Sequence, residues 1–163
     1  MNLLIYKRRK INGVDNMEDR YLFKAKHFNE WHIGNIVKEP DGLYIRDIKK
    51  NVMAFINDES TICQCTGLKD KNGKLIWEND IVRDAHGNLY TVFYQNNYYR
   101  FSWICVKSDT FLIGTMWNLW SFHSFEVEVI GNIFDNPDLL GTNTQNDLDR
   151  YWLEKYAEEN DRD

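Results

Sequence analysis

Residues 65–82 have the sequence CTGLKDKNGKLIWENDIV, which gives the strongest indication of fold class in the chain. Asn72-Gly73 lies between two apolar runs, and Asn-Gly in that setting is the strongest short-range signal for a β-hairpin. Both residue types tolerate the left-handed backbone region that tight turns use. We therefore predict a hairpin in which Asn72 and Gly73 are structural turn residues.

Short strand-like runs continue on both sides of this hairpin, from about residue 21 to residue 134. Pro40-Asp41-Gly42 predicts a turn between two of them, because Pro presets φ and Gly accepts a positive φ. Aromatic residues make up 15% of the chain, and they favour the half-buried surface of a sheet. We expect a mainly β domain, built as a small bent antiparallel sheet or a partly open barrel.

Asn96-Asn97 predicts a two-residue hairpin loop that leads into a long strand. Every second residue of that strand is aromatic or apolar, so these residues would share the core face. They are Tyr99, Phe101, Trp103 and Cys105. Residues 111–122 are apolar without a clean period, and the three-residue spacing of Trp117 and Trp120 permits a short helical turn.

The end of the chain, residues 141–163, carries the clearest helix pattern. Residues 144–147 have the form of a capping box, and apolar residues follow at three- and four-residue spacing. This stripe consists of Leu148, Tyr151, Trp152 and Tyr156. We expect a C-terminal amphipathic helix that packs on the β domain or contacts a second copy of the chain.

Two stretches resemble the motifs of the YopX family of phage and prophage proteins. They are TGLKDKNGKLIWENDIV at 66–82 and VIGNIFDNPDLL at 129–140, and a weaker match covers 21–26 and 31–34. The resemblance extends over about residues 17–140. It divides the chain into an N-terminal extension (1–16), a YopX-like β domain (17–140), and a linker with the C-terminal helix (141–163).

The family resemblance implies a compact roll of the Src-homology type and an origin in a phage or integrated prophage. It implies no catalytic residues, and it hints at self-association. Family members usually carry Gly where this chain has Asn79. That pattern implies a backbone position with positive φ, which Asn occupies better than other non-glycine residues.

Composition narrows the function classes. No run approaches the roughly 18 apolar residues of a membrane span, and three cysteines without a signal-like start indicate a reducing, cytoplasmic setting. The phage resemblance implies that this is the cytoplasm of a bacterial host. Cys63-Gln64-Cys65 lacks zinc-ribbon spacing, and the four histidines are scattered, so we expect no metal and no cofactor. The net charge of −5 is unlike that of a typical nucleic-acid binder, although a basic cluster lies at 7–10.

Glu78 and Asp80 are the best pair of carboxylates for acid–base chemistry, since residues two apart on a strand share a face. No nucleophile or metal ligand accompanies them, so we favour a structural turn at Glu78, Asn79 and Asp80. We expect no catalytic residue.

Three hypotheses for function follow. The first is a non-enzymatic phage or prophage module that contacts a phage protein, a host protein or a second copy. The second is a small nucleic-acid-binding barrel, and the third is an enzyme that uses Glu78 and Asp80. The candidate partner surface comprises Lys69, Lys71, Lys74, Trp117, Trp120, Leu148, Trp152 and Tyr156.

Overall fold

The computed structural model describes residues 19–47, 49–119 and 126–140, and the fold there is mainly β with short 3-10 turns. Six strands form the first sheet: β1 (Phe23–His27), β2 (Glu30–Glu39), β3 (Gly42–Asp47), β4 (Val52–Phe55), β5 (Cys63–Lys69) and β6 (Leu75–Trp77). Five strands form the second: β7 (Asp80–Arg83), β8 (Leu89–Gln95), β9 (Arg100–Lys107), β10 (Met116–Asn118) and β11 (Glu128–Asn132).

Both sheets are antiparallel, with strand orders β4-β3-β2-β1-β5-β6 and β10-β9-β8-β7-β11. The chain therefore forms two sheets where the sequence predicted one bent sheet or barrel. The described residues contain no closed barrel. The C-terminal helix predicted at 141–163 and the extension at 1–16 lie outside the described residues.

The first sheet is bent so that its edge strand β4 returns toward the β1–β2 turn. His27 Nδ1 lies 2.8 Å from the Phe55 carbonyl oxygen, and the Phe28 amide donates to Asn57 Oδ1 at 3.0 Å. The concave side encloses a small core of Ala25, Ile45, Ala54 and Ile56. Gly34 permits the close approach of β2 and β3, because a Cβ there would lie 1.7 Å from the Arg46 carbonyl oxygen.

The second sheet is apolar on both faces. One face contributes Tyr90, Trp103 and Cys105 to a core, and the opposite face contributes Phe93 and Ile104 to another. Three aromatic residues, Tyr90, Phe93 and Trp103, are buried on the two faces of this sheet. The sequence of a strand that is buried on both faces is a nearly continuous apolar run. Alternation of apolar and polar residues therefore cannot show which face of such a strand packs into a core.

Two local predictions were wrong, and one open alternative is excluded. The β8–β9 loop spans four residues rather than two, since Gln95 pairs with Arg100. Tyr99 therefore precedes β9 and is exposed, whereas Trp103 and Cys105 are buried as expected. Trp117 lies in β10 rather than in a helical turn, and Trp120 lies outside the described residues.

Candidate functional site

Lys24 and Asp80 form a buried ion pair where the two sheets meet. Lys24 Nζ donates to Asp80 Oδ1 at 2.5 Å, and the Trp77 amide donates to Asp80 Oδ2 at 2.9 Å. Burial raises the pKa of Asp80, while the Lys24 charge and the hydrogen bonds from Lys24 and Trp77 oppose that increase. Lys24 Nζ also lies 5.1 Å from the centre of the Trp31 ring. The pair fixes β1 against β7.

Glu78 and Asn79 form the turn between β6 and β7, so Glu78 and Asp80 do not share one continuous strand. Asn79 has a φ of 65°, the positive value expected from the sequence. Its backbone amide donates to the Val92 carbonyl at 2.7 Å, and its carbonyl accepts from the Ile133 amide at 3.0 Å. We call residues 66–82 and 129–140, the two stretches that resemble the family motifs, the first and second signature motifs. Asn79 therefore links the first signature motif to β8 and to the second signature motif.

Glu78 is half-buried in that turn, and its carboxylate accepts a hydrogen bond from the Gln64 amide at 3.3 Å. Burial raises the pKa of Glu78, and backbone hydrogen bonds oppose the increase. The Glu78 carboxylate thus binds a backbone amide of β5, and the Asp80 carboxylate binds one at the end of β6. Their contacts are those of structural turn residues.

Asp135, in the second signature motif, joins that motif to the first sheet. Its carboxylate accepts from Trp31 Nε1 at 2.7 Å, from Lys26 Nζ at 2.5 Å and from Asn132 Nδ2 at 2.8 Å. Partial burial alone would raise the pKa of Asp135, but these three hydrogen bonds lower it to about 2. Asp135 is therefore held as a carboxylate between strands β1, β2 and β11.

The predicted hairpin forms between β5 and β6 and places Asn72 and Gly73 in its turn, where Gly73 has a φ of 80°. Asp70 organises this turn, because its Oδ1 accepts from the Asn72 amide at 2.8 Å and the Lys74 amide at 2.9 Å. Asp70 Oδ2 accepts from the Val129 amide at 3.0 Å. The turn is thereby attached to β11.

The three lysines of the candidate partner surface lie on this same hairpin, but they do not form an unopposed basic patch. Lys71 Nζ is 2.9 Å from Glu128 Oε2, and the Arg83 guanidinium contacts the same oxygen at 3.3 Å. Lys69 and Lys74 flank this network in the sequence. The charge of Lys71 is therefore compensated within the domain.

The described cysteines are buried thiols. Burial raises the pKa of Cys63 to about 12 and that of Cys65 to about 11, so neither is a thiolate near neutral pH. Across ranges 19–47, 49–119 and 126–140, no group of three His, Cys, Asp or Glu side chains could hold a metal ion. His32 is buried 3.3 Å from Asp47, without a hydrogen bond of good geometry.

The β9–β10 turn presents three consecutive apolar side chains to water. Leu112 is 83% exposed, Ile113 is 46% exposed and Phe111 is 39% exposed. We call residues 111–113 the apolar tip. Sequence reasoning missed it, although the signal was present: FLI stands between the turn residues Ser108-Asp109-Thr110 and Gly114.

Hydrogen bonds hold the apolar tip in one conformation. Ser108 Oγ accepts from the Phe111 amide at 2.8 Å, and Thr115 Oγ1 donates to the Leu112 carbonyl at 2.8 Å. Gly114, with a φ of 87°, donates to the Cys105 carbonyl at 2.9 Å. The Phe111 ring packs edge-on against Trp117, with centroids 5.2 Å apart. The tip is an ordered protrusion of the second sheet.

The residues of the candidate partner surface thus separate. Trp117 supports the base of the apolar tip, and the lysines lie on the β5–β6 hairpin. Trp120, Leu148, Trp152 and Tyr156 lie outside the described residues.

Comparison with known proteins gives one family match. The family model described as YopX protein matches residues 15–141, which is more than half of the chain. No curated protein matches the chain. None of the helical segments in the described part of the chain has the length and apolarity needed to cross a membrane.

Proposed function

The chain belongs to the YopX protein family, and we propose that it is a non-enzymatic protein-binding module of a phage or prophage. It acts in the cytoplasm of the bacterial host, and its partner is a phage protein, a host protein or a second copy. The observation that carries this proposal is the apolar tip, residues 111–113.

Three large apolar side chains in sequence, held out from a rigid sheet, are costly to leave in water. Fully burying one side chain of this size contributes about 1.5–3 kcal/mol to association. Because hydrogen bonds with the Ser108 and Thr115 hydroxyl groups already order the turn, little conformational freedom is lost when a partner covers it. Contiguous exposed apolar residues bordered by polar ones are typical of interaction sites.

The contacts of the signature carboxylates favour structural roles over acid–base catalysis. Asp80 is paired with Lys24, Asp135 bridges Trp31 and Lys26, and Asp70 binds three backbone amides. Each of these acids has a role in joining the strands. These motif residues therefore serve to hold the fold together. We expect the partner to contact turns outside the motifs, such as the apolar tip.

Nucleic-acid binding is the weaker candidate. The net charge is −5, and the Lys71 ammonium group is paired with Glu128. A phosphate backbone requires several uncompensated cations along one surface. Salt-dependent retention on DNA or RNA would favour this second candidate.

The finer architecture is also part of the proposal. The curl of β1–β4 supports a roll of the Src-homology type within residues 17–140. The apolar stripe that contains Leu148 and Trp152 supports an amphipathic C-terminal helix.

The proposed function is tested by affinity capture from cells that carry the phage or prophage. The full chain is compared with Leu112→Ser and with the control Met53→Ser, an exposed apolar residue on edge strand β4. We expect specific proteins to be retained by the full chain and the control but lost from Leu112→Ser. Equal retention by all three chains would contradict the proposal.

A further inference from the structure

A cavity of about 230 Å³ lies where the end of β8 meets the start of β9 and the end of β10. The residues that line it include Gln95, Tyr98, Arg100, Ser102, Met116 and Trp117. The cavity is at the opposite end of β9 from the apolar tip. It is therefore a separate feature that does not depend on the proposed function.

The floor of the cavity is polar and buried. Gln95 Oε1 accepts from Ser102 Oγ at 2.7 Å and from Arg100 Nε at 3.2 Å. The Gln95 side-chain nitrogen has only the Met116 sulfur at 3.8 Å as its described partner, and a thioether is a weak acceptor. The amide of Gln95 is thus a buried donor that a stronger acceptor would satisfy.

Arg100 supplies the second set of donors. Its guanidinium lies 4.9 Å from the centre of the Tyr98 ring, which holds the group in place. Among the described residues, no hydrogen bond engages its two terminal nitrogens. Arg100 also carries the only charge among the described residues that line the cavity. The site therefore has a net positive charge and converging donors.

The backbone beside the cavity is in an uncommon conformation. Tyr99 has a φ of 50°, although it is a bulky aromatic residue, and its side chain is 83% exposed. Left-handed backbone at such a residue costs on the order of 1–3 kcal/mol and clusters at ligand sites. This conformation of Tyr99 sets the positions of its neighbours Tyr98 and Arg100.

We propose that this cavity binds a carboxylate, with Arg100 as the bidentate donor and Gln95 as a second donor. The apolar body of the ligand packs against Tyr98 and Met116. A volume of about 230 Å³ is smaller than typical drug-sized pockets of about 300–1,000 Å³. The ligand is therefore the size of one residue: a small aromatic acid or the last residue of a peptide.

Charge favours a carboxylate over a phosphate. Arginine forms bidentate pairs with both groups, but a phosphate monoester carries about −1.5 to −2 at neutral pH. A single arginine balances the one negative charge of a carboxylate and leaves a phosphate group under-compensated.

The test is a titration of the ¹⁵N-labelled full chain, followed by NMR. The probes are benzoate, benzamide and inorganic phosphate, together with the peptide Gly-Gly-Phe with a free or an amidated C-terminus. We expect benzoate or the free peptide to shift the side-chain signals of Gln95 and Arg100 saturably. The neutral analogue of each should bind at least about 10-fold more weakly, because it loses a charge-assisted hydrogen bond. Tighter binding of benzoate identifies a small acid as ligand, and tighter binding of the peptide identifies a chain terminus.

Arg100→Gln should weaken that binding at least about 10-fold, while Arg46→Gln, at an exposed arginine of β3, should leave it unchanged. If Arg100→Gln does not fold, the comparison of charged and neutral probes on the unmodified chain tests the proposal instead. The proposal is overturned if neither carboxylate binds saturably, if the neutral analogues bind equally well, or if phosphate binds as tightly.

Discussion

The Asp80 carboxylate accepts a hydrogen bond from Lys24 Nζ at 2.5 Å, and the two residues are 56 positions apart in the chain. Lys24 belongs to β1 of the first sheet and Asp80 to β7 of the second. Both are buried, so each charge depends on the other for compensation. This ion pair is one of the polar contacts that residues 66–82 make between the sheets, and the hydrogen bond from the Val129 amide to Asp70 is another.

Removing one member of this pair should be strongly destabilising. We expect Lys24→Met to lower the free energy of unfolding by about 3–5 kcal/mol in urea denaturation, because Asp80 is left buried without a counter-charge. The double variant Lys24→Met/Asp80→Asn should recover much of that loss, since a neutral amide keeps an acceptor for Trp77. The control Lys50→Met removes a surface pair with Glu30 and should cost no more than about 1 kcal/mol. If Lys24→Met lowers the free energy of unfolding no more than the control does, the buried Lys24–Asp80 pair does not stabilise the fold as we expect.

Asn79 should behave as a backbone position that requires positive φ. With φ at 65°, Asn79→Gly should be neutral or mildly stabilising, whereas Asn79→Val should cost on the order of 1–3 kcal/mol. Thermal or chemical denaturation of the two variants provides the comparison. If valine is tolerated as well as glycine, the left-handed turn does not constrain the fold.

Asp135 should make stability depend on pH in the acid range. Its folded pKa of about 2 lies below the ordinary value of 3.8, so its contribution is fully present only above that ordinary value. The contribution is lost as the pH falls through the interval between the two pKa values. The stability difference between the natural chain and Asp135→Asn, measured by urea denaturation at each pH, should therefore shrink over this window. If this stability difference stays constant throughout the acid titration, ionised Asp135 does not stabilise the fold.

Residues 141–163 should pack on their own β domain, since burial within one chain avoids the entropy cost of association. A chain that ends at Leu140 should then aggregate or melt at a lower temperature, as light scattering and thermal denaturation would show. A dimer that becomes a well-folded monomer on truncation would instead identify the segment as a partner surface.

Local signals predicted the parts of the fold that depend on neighbouring residues. The hairpin at Asn72-Gly73 follows from backbone preferences of single residues, whereas the positive φ of Asn79 was implied by the family resemblance; both hold in the structure. The mainly β class followed from strand-like runs and turn residues. These features need no knowledge of which strands lie side by side.

The remaining features depend on contacts that are distant in sequence. The division into two sheets rests on pairs such as Lys24 with Asp80, which no local pattern reveals. Alternation in β9 suggested one core face, yet Ile104 on the opposite face is also buried. β10 has three residues, too few for a period to be recognised, so residues 111–122 were left without an assigned element and the apolar tip was missed.

Contact between the apolar tip and a protein partner can be tested in cells that carry the phage or prophage. A photo-crosslinking phenylalanine analogue is placed at position 112, with position 53 as the control, and mass spectrometry identifies the crosslinked species. We expect abundant adducts with one or a few proteins, or with a second copy, at position 112 and few at position 53. Equal adducts at both positions, or none at 112, would show that the tip is not the binding surface.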